Sequence, residues 1–124
     1  MDYILVDTSV WINFLRYGDK QHEEVLNQGL VLCHPYIIGE LACGHLSNRE
    51  KILSLLHDLP MATVVEHYEV LHFIDRHNLM GRGLGYIDIH LLASAMLTGV
   101  KLWTMDKTLV KMAKKLYAHY QENL

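Results

Sequence analysis

The chain has 124 residues, 51% hydrophobic and 20% charged, a composition that fits one globular domain with its own core and excludes disordered and fibrous classes. Fourteen acids against eleven basic residues leave a formal charge of −3, a balance that on its face argues against a polyanion ligand. No stretch approaches the ~18 uninterrupted apolar residues of a membrane span, and the first residues carry an acid at once with no basic run before a short apolar segment. A signal peptide is therefore not expected and a cytoplasmic location is.

Tyr3 to Val6 is a short apolar, partly β-branched run that predicts a buried strand. Val10 to Tyr17, with Val10, Trp11, Phe14 and Leu15 on one side, predicts a short helix ending near Gly18. Leu30 to Cys33 is a second strand, bounded by Gly29 and Pro35, and Tyr36 to Cys43 a helix with Gly44 as its C-cap. Arg49 to Leu59 and Val65 to His77 predict amphipathic helices, the second closed by Asn78 and the glycine-rich loop 81–85. Tyr86 to Leu97 is the most apolar helix, ended by Gly99; Lys101 to Thr104 is a third strand and Lys107 to Tyr117 a last helix. Short apolar strands alternating with helices imply an α/β fold, a parallel sheet with helices on both faces, spanning residues 1–124 as one domain.

Four acids stand where acids are costly. Asp7 follows the first strand and Asp106 closely follows the third; Glu40 and Asp88 interrupt otherwise apolar helices. Each has an ordinary structural reading, as an N-cap or as a carboxylate bonded to backbone. Together they carry more weight, because residues just past the carboxyl ends of parallel strands gather on one edge, where ligands bind. Acids gathered there repel one another, and an oxygen-only set suits Mg²⁺ or Mn²⁺ better than zinc. A zinc site built from Cys33, His34, Cys43 and His45 lacks any C-x₂-C knuckle; the two cysteines read as reduced core thiols.

These residues resemble the PIN domain. Asp7-Thr8-Ser9-Val10-Trp11-Ile12 is similar to the family's opening, Glu40 in Gly39-Glu40-Leu41 to its second acid, Asp88 in Asp88-Ile89-His90-Leu91 to its third, and Asp106 in Thr104-Met105-Asp106 to its fourth. The resemblance covers essentially the whole chain and is strongest to VapC toxins of bacterial toxin–antitoxin pairs. It implies a PIN-like three-layer α/β/α fold and an endoribonuclease dependent on one or two Mg²⁺ or Mn²⁺ ions. Asp7, Glu40, Asp88 and Asp106 are the implied metal-binding and catalytic residues, and metal-activated water cleaves RNA, transfer RNA among the candidates. It also implies a homodimer and a small VapB-type antitoxin, with no membrane role. Trp11, Phe14, Leu15, Ile52, Leu55 and Leu56 supply apolar faces for such contacts or for the core.

Lys107, Lys111, Lys114 and Lys115 fall at i, i+4, i+7 and i+8, a basic stripe that starts one residue after Asp106. Together with Arg82 in its glycine loop, Lys107 and Lys111 are candidate RNA contacts. Of the nine histidines, His22, His57, His67, His72, His77 and His119 read as surface residues, and His90 points about 200° away from Asp88 on a shared helix. Metal-free histidine catalysis is thus disfavoured. A receiver-like domain needs an acidic pair after the first strand and a dehalogenase-type phosphatase needs D-x-D; Thr8-Ser9 excludes both. Two alternatives stay open, a PIN-like domain that binds RNA or protein without cutting and another metal-dependent phosphoryl-transfer domain.

Overall fold

All three residues of the first strand, β1 (Ile4–Val6), are buried. Successive side chains of a strand point to opposite faces, so both faces of the sheet are covered. The structure, a computed structural model, describes residues 2–122. In it β1 is flanked by β2 (Val31–Leu32) and β3 (Lys101–Trp103), all parallel, in the spatial order β2-β1-β3. Ile4 pairs with Val31 and Lys101, Leu5 with Leu32 and Leu102, and Val6 with Trp103. Single parallel bridges, Cys33 to Met61 and Leu102 to His119, widen the sheet at each edge. Each is one residue long, too short to leave a strand pattern in the sequence.

Seven helices among the described residues flank the sheet: α1 (Thr8–Tyr17), α2 (Lys20–Asn27), α3 (Pro35–Ala42), α4 (Arg49–His57), α5 (His67–His77), α6 (Tyr86–Thr98) and α7 (Lys107–Lys115). The α/β fold and six of these helices are as the sequence predicts, to within about two residues at most ends. Gly18, Asn78 and Gly99 terminate α1, α5 and α6 in positive-φ conformations. Gly44 does not cap α3; Cys43 does, in an ordinary helical conformation. Helix α6 is buried at every position from Ile89 to Ala95, which makes it a central helix with no solvent face over almost two turns.

Helix α2 has no counterpart in the predicted elements, and His22 on it is a core residue rather than a surface one. Asp19 caps α2, accepting from the Gln21 and His22 amides at 2.9 and 3.1 Å. The His22 ring is fully buried, 4.4 Å from Trp11, 4.1 Å from Phe14 and 5.4 Å from Trp103 between centroids. Neither ring nitrogen has a protein partner among the described residues. In sequence, a buried histidine on a polar helix cannot be told from an exposed one. Trp11 and Leu56 are core too, whereas Leu55 faces out. Cys33 is fully buried, its thiol pushed up to about 11 by that burial, but Cys43 is exposed, contrary to the core reading of both.

His34 caps α3 through its ring: Nδ1 accepts from the Tyr36 amide at 3.0 Å. An accepting Nδ1 puts the proton on Nε2, which then donates to Ser94 Oγ at 3.2 Å. Burial lowers both His22 and His34 to about 4; Asp19 partly opposes this at His22, and His90 adds to it at His34. The unfolded chain takes up these two protons below about pH 6.5 and the folded one only near 4. Stability is therefore full above 6.5 and falls as the pH drops towards 4. Urea midpoints at pH 7 and pH 5 should show this loss in the wild type, and His22→Phe should show about half of it.

Candidate active site

The strand order fixes where a ligand would sit. From β1 the chain crosses to β2 on one side and later returns to β3 on the other, so the connections reverse direction between β1 and β3. In parallel sheets the crevice lies at such a switch point, outside the carboxyl ends of the strands. Asp7 leaves β1 there, and the segment Thr104-Met105-Asp106 leaves β3 beside it, tied by the Asp7 amide donating to the Trp103 carbonyl at 2.9 Å.

Asp7 is buried, and three donors compensate its carboxylate. The Thr8 amide donates to Oδ1 at 2.7 Å, and the Ser9 and Thr104 hydroxyls donate to Oδ2 at 2.9 and 2.7 Å. The same two hydroxyls also accept: Ser9 Oγ from the Met105 amide at 3.0 Å, Thr104 Oγ1 from the Asp106 amide at 3.1 Å. A buried charge is tolerated when its lone pairs are filled in this way. Asp106, the cap of α7, accepts from the Leu109 amide through Oδ1 at 2.9 Å.

Glu40 reaches the same neighbourhood from α3. Its Oε1 accepts from the Thr8 hydroxyl at 2.7 Å, so Thr8 links Glu40 by its side chain and Asp7 by its backbone. Asp88 arrives on the first turn of α6, its Oδ2 accepting from the Gly85 amide at 3.1 Å. Burial holds the Asp88 carboxyl above its ordinary value; the Gly85 hydrogen bond opposes this, and the charges of Asp7 and Asp106 add to it. Asp88 therefore senses both of the other aspartates.

Two expectations about these acids need correcting. Glu40 is exposed, not buried among apolar neighbours, and interrupts the apolar run of α3 because it sits on that helix's solvent face; Asp106, the cap of α7, is exposed as well. The four carboxylates also do not form a finished cage, for no three His, Cys, Asp or Glu side chains among the described residues stand as a metal-holding group. What the set offers is hard oxygen donors: Glu40, Asp88 and Asp106 are each held by one protein donor on one oxygen, and Asp7 by three donors on both, with mutual repulsion that a divalent cation relieves. Such donors fit Mg²⁺ or Mn²⁺. Sequence reasoning passed over Thr8, Ser9 and Thr104, although they lie inside the motifs it used; a hydroxyl one or two residues from a strand-end acid was the available signal. Of the candidate RNA contacts, Lys107 and Lys111 are exposed on α7, and exposed Arg82 donates Nε to the Asn78 carbonyl at 3.0 Å.

A β2-β1-β3 parallel core with strand-end acids at its switch point is the frame of a PIN nuclease fold, and the chain belongs to the PIN domain family, whose model matches residues 4–115. Within that family it is of the VapC type. It is 49% identical over 107 residues, 86% of both chains, to Ribonuclease VapC32 of Mycobacterium tuberculosis, in strain H37Rv and equally in strain CDC 1551 / Oshkosh.

Removing the Thr104 hydroxyl leaves a buried carboxylate one donor short and an amide without its acceptor. Thr104→Val should lose ~1.5–3 kcal/mol of stability in urea titrations, the range for a hydrogen bond to a charged group, and Thr104→Ser should recover most of it. Asp88 behaves in the opposite sense. Its raised carboxyl makes the ionised folded state unfavourable once the pH climbs above about 4, the unfolded value. Asp88→Asn keeps an acceptor for Gly85 but sheds the charge, so at pH 7 and without metal its melting temperature should rise by ~2–5 °C. That gain should vanish near pH 4, and Mn²⁺ should stabilise the wild type more than the variant.

Proposed function

We propose that this chain is an endoribonuclease dependent on Mg²⁺ or Mn²⁺, acting as the toxin of a VapBC-type pair. The observation that carries the reading is the geometry at the sheet's switch point, where the Asp7–Trp103 backbone bond sets the Thr104–Asp106 segment beside Asp7 and Thr8 ties Glu40 to the same place. The mycobacterial relatives, ribonucleases by name, support the same reaction class.

Asp7, Asp88 and Asp106 would hold the ion, with Glu40 completing the set or serving a second ion. When bound, the ion supplies Lewis acidity, lowering the pKa of a water and offsetting the charge that builds on the phosphate. The protein's own groups do the positioning. Thr8 fixes one oxygen of Glu40, leaving Oε2 to orient the attacking water and take its proton. Lys107 and Lys111, one turn apart and adjacent to Asp106, draw the phosphates in. Arg82 adds its terminal guanidinium nitrogens to the phosphate at the entry of α6. No side-chain nucleophile and no 2′-hydroxyl is needed, so the products carry 5′-phosphate and 3′-hydroxyl ends.

A groove of about 310 Å³ runs between α1, α3 and α4, walled by Ile12, Leu15, Leu41 and Ile52 with Glu40 at its edge. Apolar walls ending at an acid suit an antitoxin tail that carries an arginine or lysine to the carboxylates in place of the metal. The expected second copy has a candidate face in the larger apolar cleft between α5 and α6, about 630 Å³, where Tyr68, Met96 and Leu97 lie exposed.

The decisive experiment incubates single-stranded RNA with the protein and Mn²⁺. Wild type should cleave it, and Asp7→Asn and Asp106→Asn should each cut ~100-fold or more slowly, on the scale of losing a group that handles the proton or the charge. Calorimetry should find Mn²⁺ binding in the wild type and none in Asp7→Asn. Ends bearing 2′,3′-cyclic phosphate would instead indicate metal-free chemistry, and RNA binding without cleavage a non-cutting PIN domain.

A further inference from the structure

Six rings run from the surface into the core beside the acids. Tyr68, His67, Tyr86, His90, Tyr36 and His34 follow one another with centroid separations of 5.3, 5.7, 4.5, 4.8 and 5.0 Å, linking α5, α6 and α3. The inner members belong to the core: His34 and His90 are 0% and 1% exposed. His90 makes no hydrogen bond to any protein group among the described residues through either ring nitrogen. What it does is brace two tyrosines, which meet it at interplanar angles of 77° for Tyr36 and 84° for Tyr86.

Those two tyrosines are neither core nor free surface. Tyr36 and Tyr86 keep 37% and 44% of their surface exposed, yet both are held on the buried imidazole. Tyr86 is pinned a second time, its hydroxyl 2.6 Å from Nδ1 of the exposed His67. Tyr36 stands beside an acid, and Tyr86 joins it through the imidazole they share. Tyr36 precedes Glu40 by one turn of α3, where side chains four apart stand ~5–6 Å from each other, and both are exposed. Tyr86 opens α6 on the face it shares with His90, turned away from Asp88, and is brought next to Tyr36 because both rings lean on the same imidazole. Single exposed apolar residues are ordinary; two exposed rings held by one buried scaffold, one of them a turn from Glu40, are not.

Resting on the ribonuclease reading above, we propose that Tyr36 and Tyr86 are the base-binding residues of the site, on which a nucleobase of single-stranded RNA stacks beside the phosphate to be cut. Unpaired bases are recognised by stacking on aromatic rings, and every base has a π face, so this contact selects single strands without demanding a sequence. It also supplies affinity that does not depend on positive charge, which a chain of net charge −3 needs. Rings that are already immobilised lose little freedom when the base arrives. His90 and His67 are positioning residues: they hold the tyrosines and do not touch the RNA.

The test is equilibrium binding of a short fluorescein-labelled single-stranded RNA of mixed sequence to the full chain, read by anisotropy with Ca²⁺ in place of Mg²⁺ to slow turnover. Tyr36→Leu and Tyr86→Leu should each bind ~10-fold more weakly, as loss of one stacked base requires, while Tyr86→Phe, which keeps the ring but loses the His67 hydrogen bond, should lose no more than ~3-fold. An abasic site walked along the RNA should weaken wild-type binding at one position, and there Tyr86→Leu should lose nothing further. That coupling to a missing base is what a purely structural tyrosine would not show. Leucine variants that melt like the wild type and bind equally well overturn the proposal, as do losses that simply add to the abasic effect at every position. Cleavage in Mn²⁺, measured in parallel, separates this from the ribonuclease reading. Base-dependent binding without cleavage overturns that reading and keeps the platform; cleavage with unchanged KM in both leucine variants does the reverse.

Discussion

The structure depends on one buried charge. Asp7 sits at the end of the central strand, where an uncompensated carboxylate would cost several kcal/mol, and three donors from two segments of chain fill its oxygens. Those donors do more than neutralise it. Ser9 and Thr104 each pass a hydrogen bond on to the backbone of Met105 and Asp106, so the turn after β3 takes its shape from a carboxylate on β1. The Thr8 hydroxyl extends the same network to Glu40 on α3. Sheet pairing, the starts of α1 and α7 and the placing of three site acids are thus consequences of how one aspartate is satisfied.

A network that holds acids together also stores repulsion. Asp88 shows it most plainly, because burial and the charges of Asp7 and Asp106 act on its carboxyl in the same direction, with only the Gly85 amide opposing. The surrounding fold must overdetermine that position, and it does: directly behind Asp88, α6 is buried on all sides for seven residues. A rigid, apolar helix is the sort of support that can hold a like-charge group in place until a cation relieves it.

What was legible in the sequence was what leaves a local pattern. Short apolar runs marked β1, β2 and β3, and the positive-φ stops at Gly18, Asn78 and Gly99 marked helix ends, because each depends on residues adjacent in the chain. Helix α2 was missed because only His22 and Val25 are buried, with Leu26 half-buried against the core, and a histidine carries no hydrophobic signal. The bridges at Met61 and His119 were missed because a single paired residue has no period. The acids were identifiable as a set, but their exposure was not: in α3, Gly39 and Glu40 share a solvent face that the apolar neighbours in sequence conceal. The hydroxyls of Thr8, Ser9 and Thr104 were in view throughout, and only the tertiary pairing of β1 with β3 reveals what they bind.

The formal charge of −3 looked like evidence against a nucleic-acid protein, and the arrangement of the charges reverses that inference. Two of the fourteen acids, Asp7 and Asp106, follow adjacent strands at the switch point, where a divalent ion of the proposed site would cancel part of their charge. Lysines lie exposed along α7 from the residue after Asp106 onward. Affinity for RNA depends on the local field and on what the bases can stack against, both of which a sum over the chain erases. The exposed tyrosines on their buried imidazole brace add the second of these without adding any charge. On the proposed reading recognition would divide naturally: lysines for the phosphates, rings for a base, and carboxylates kept for an ion and the water it activates.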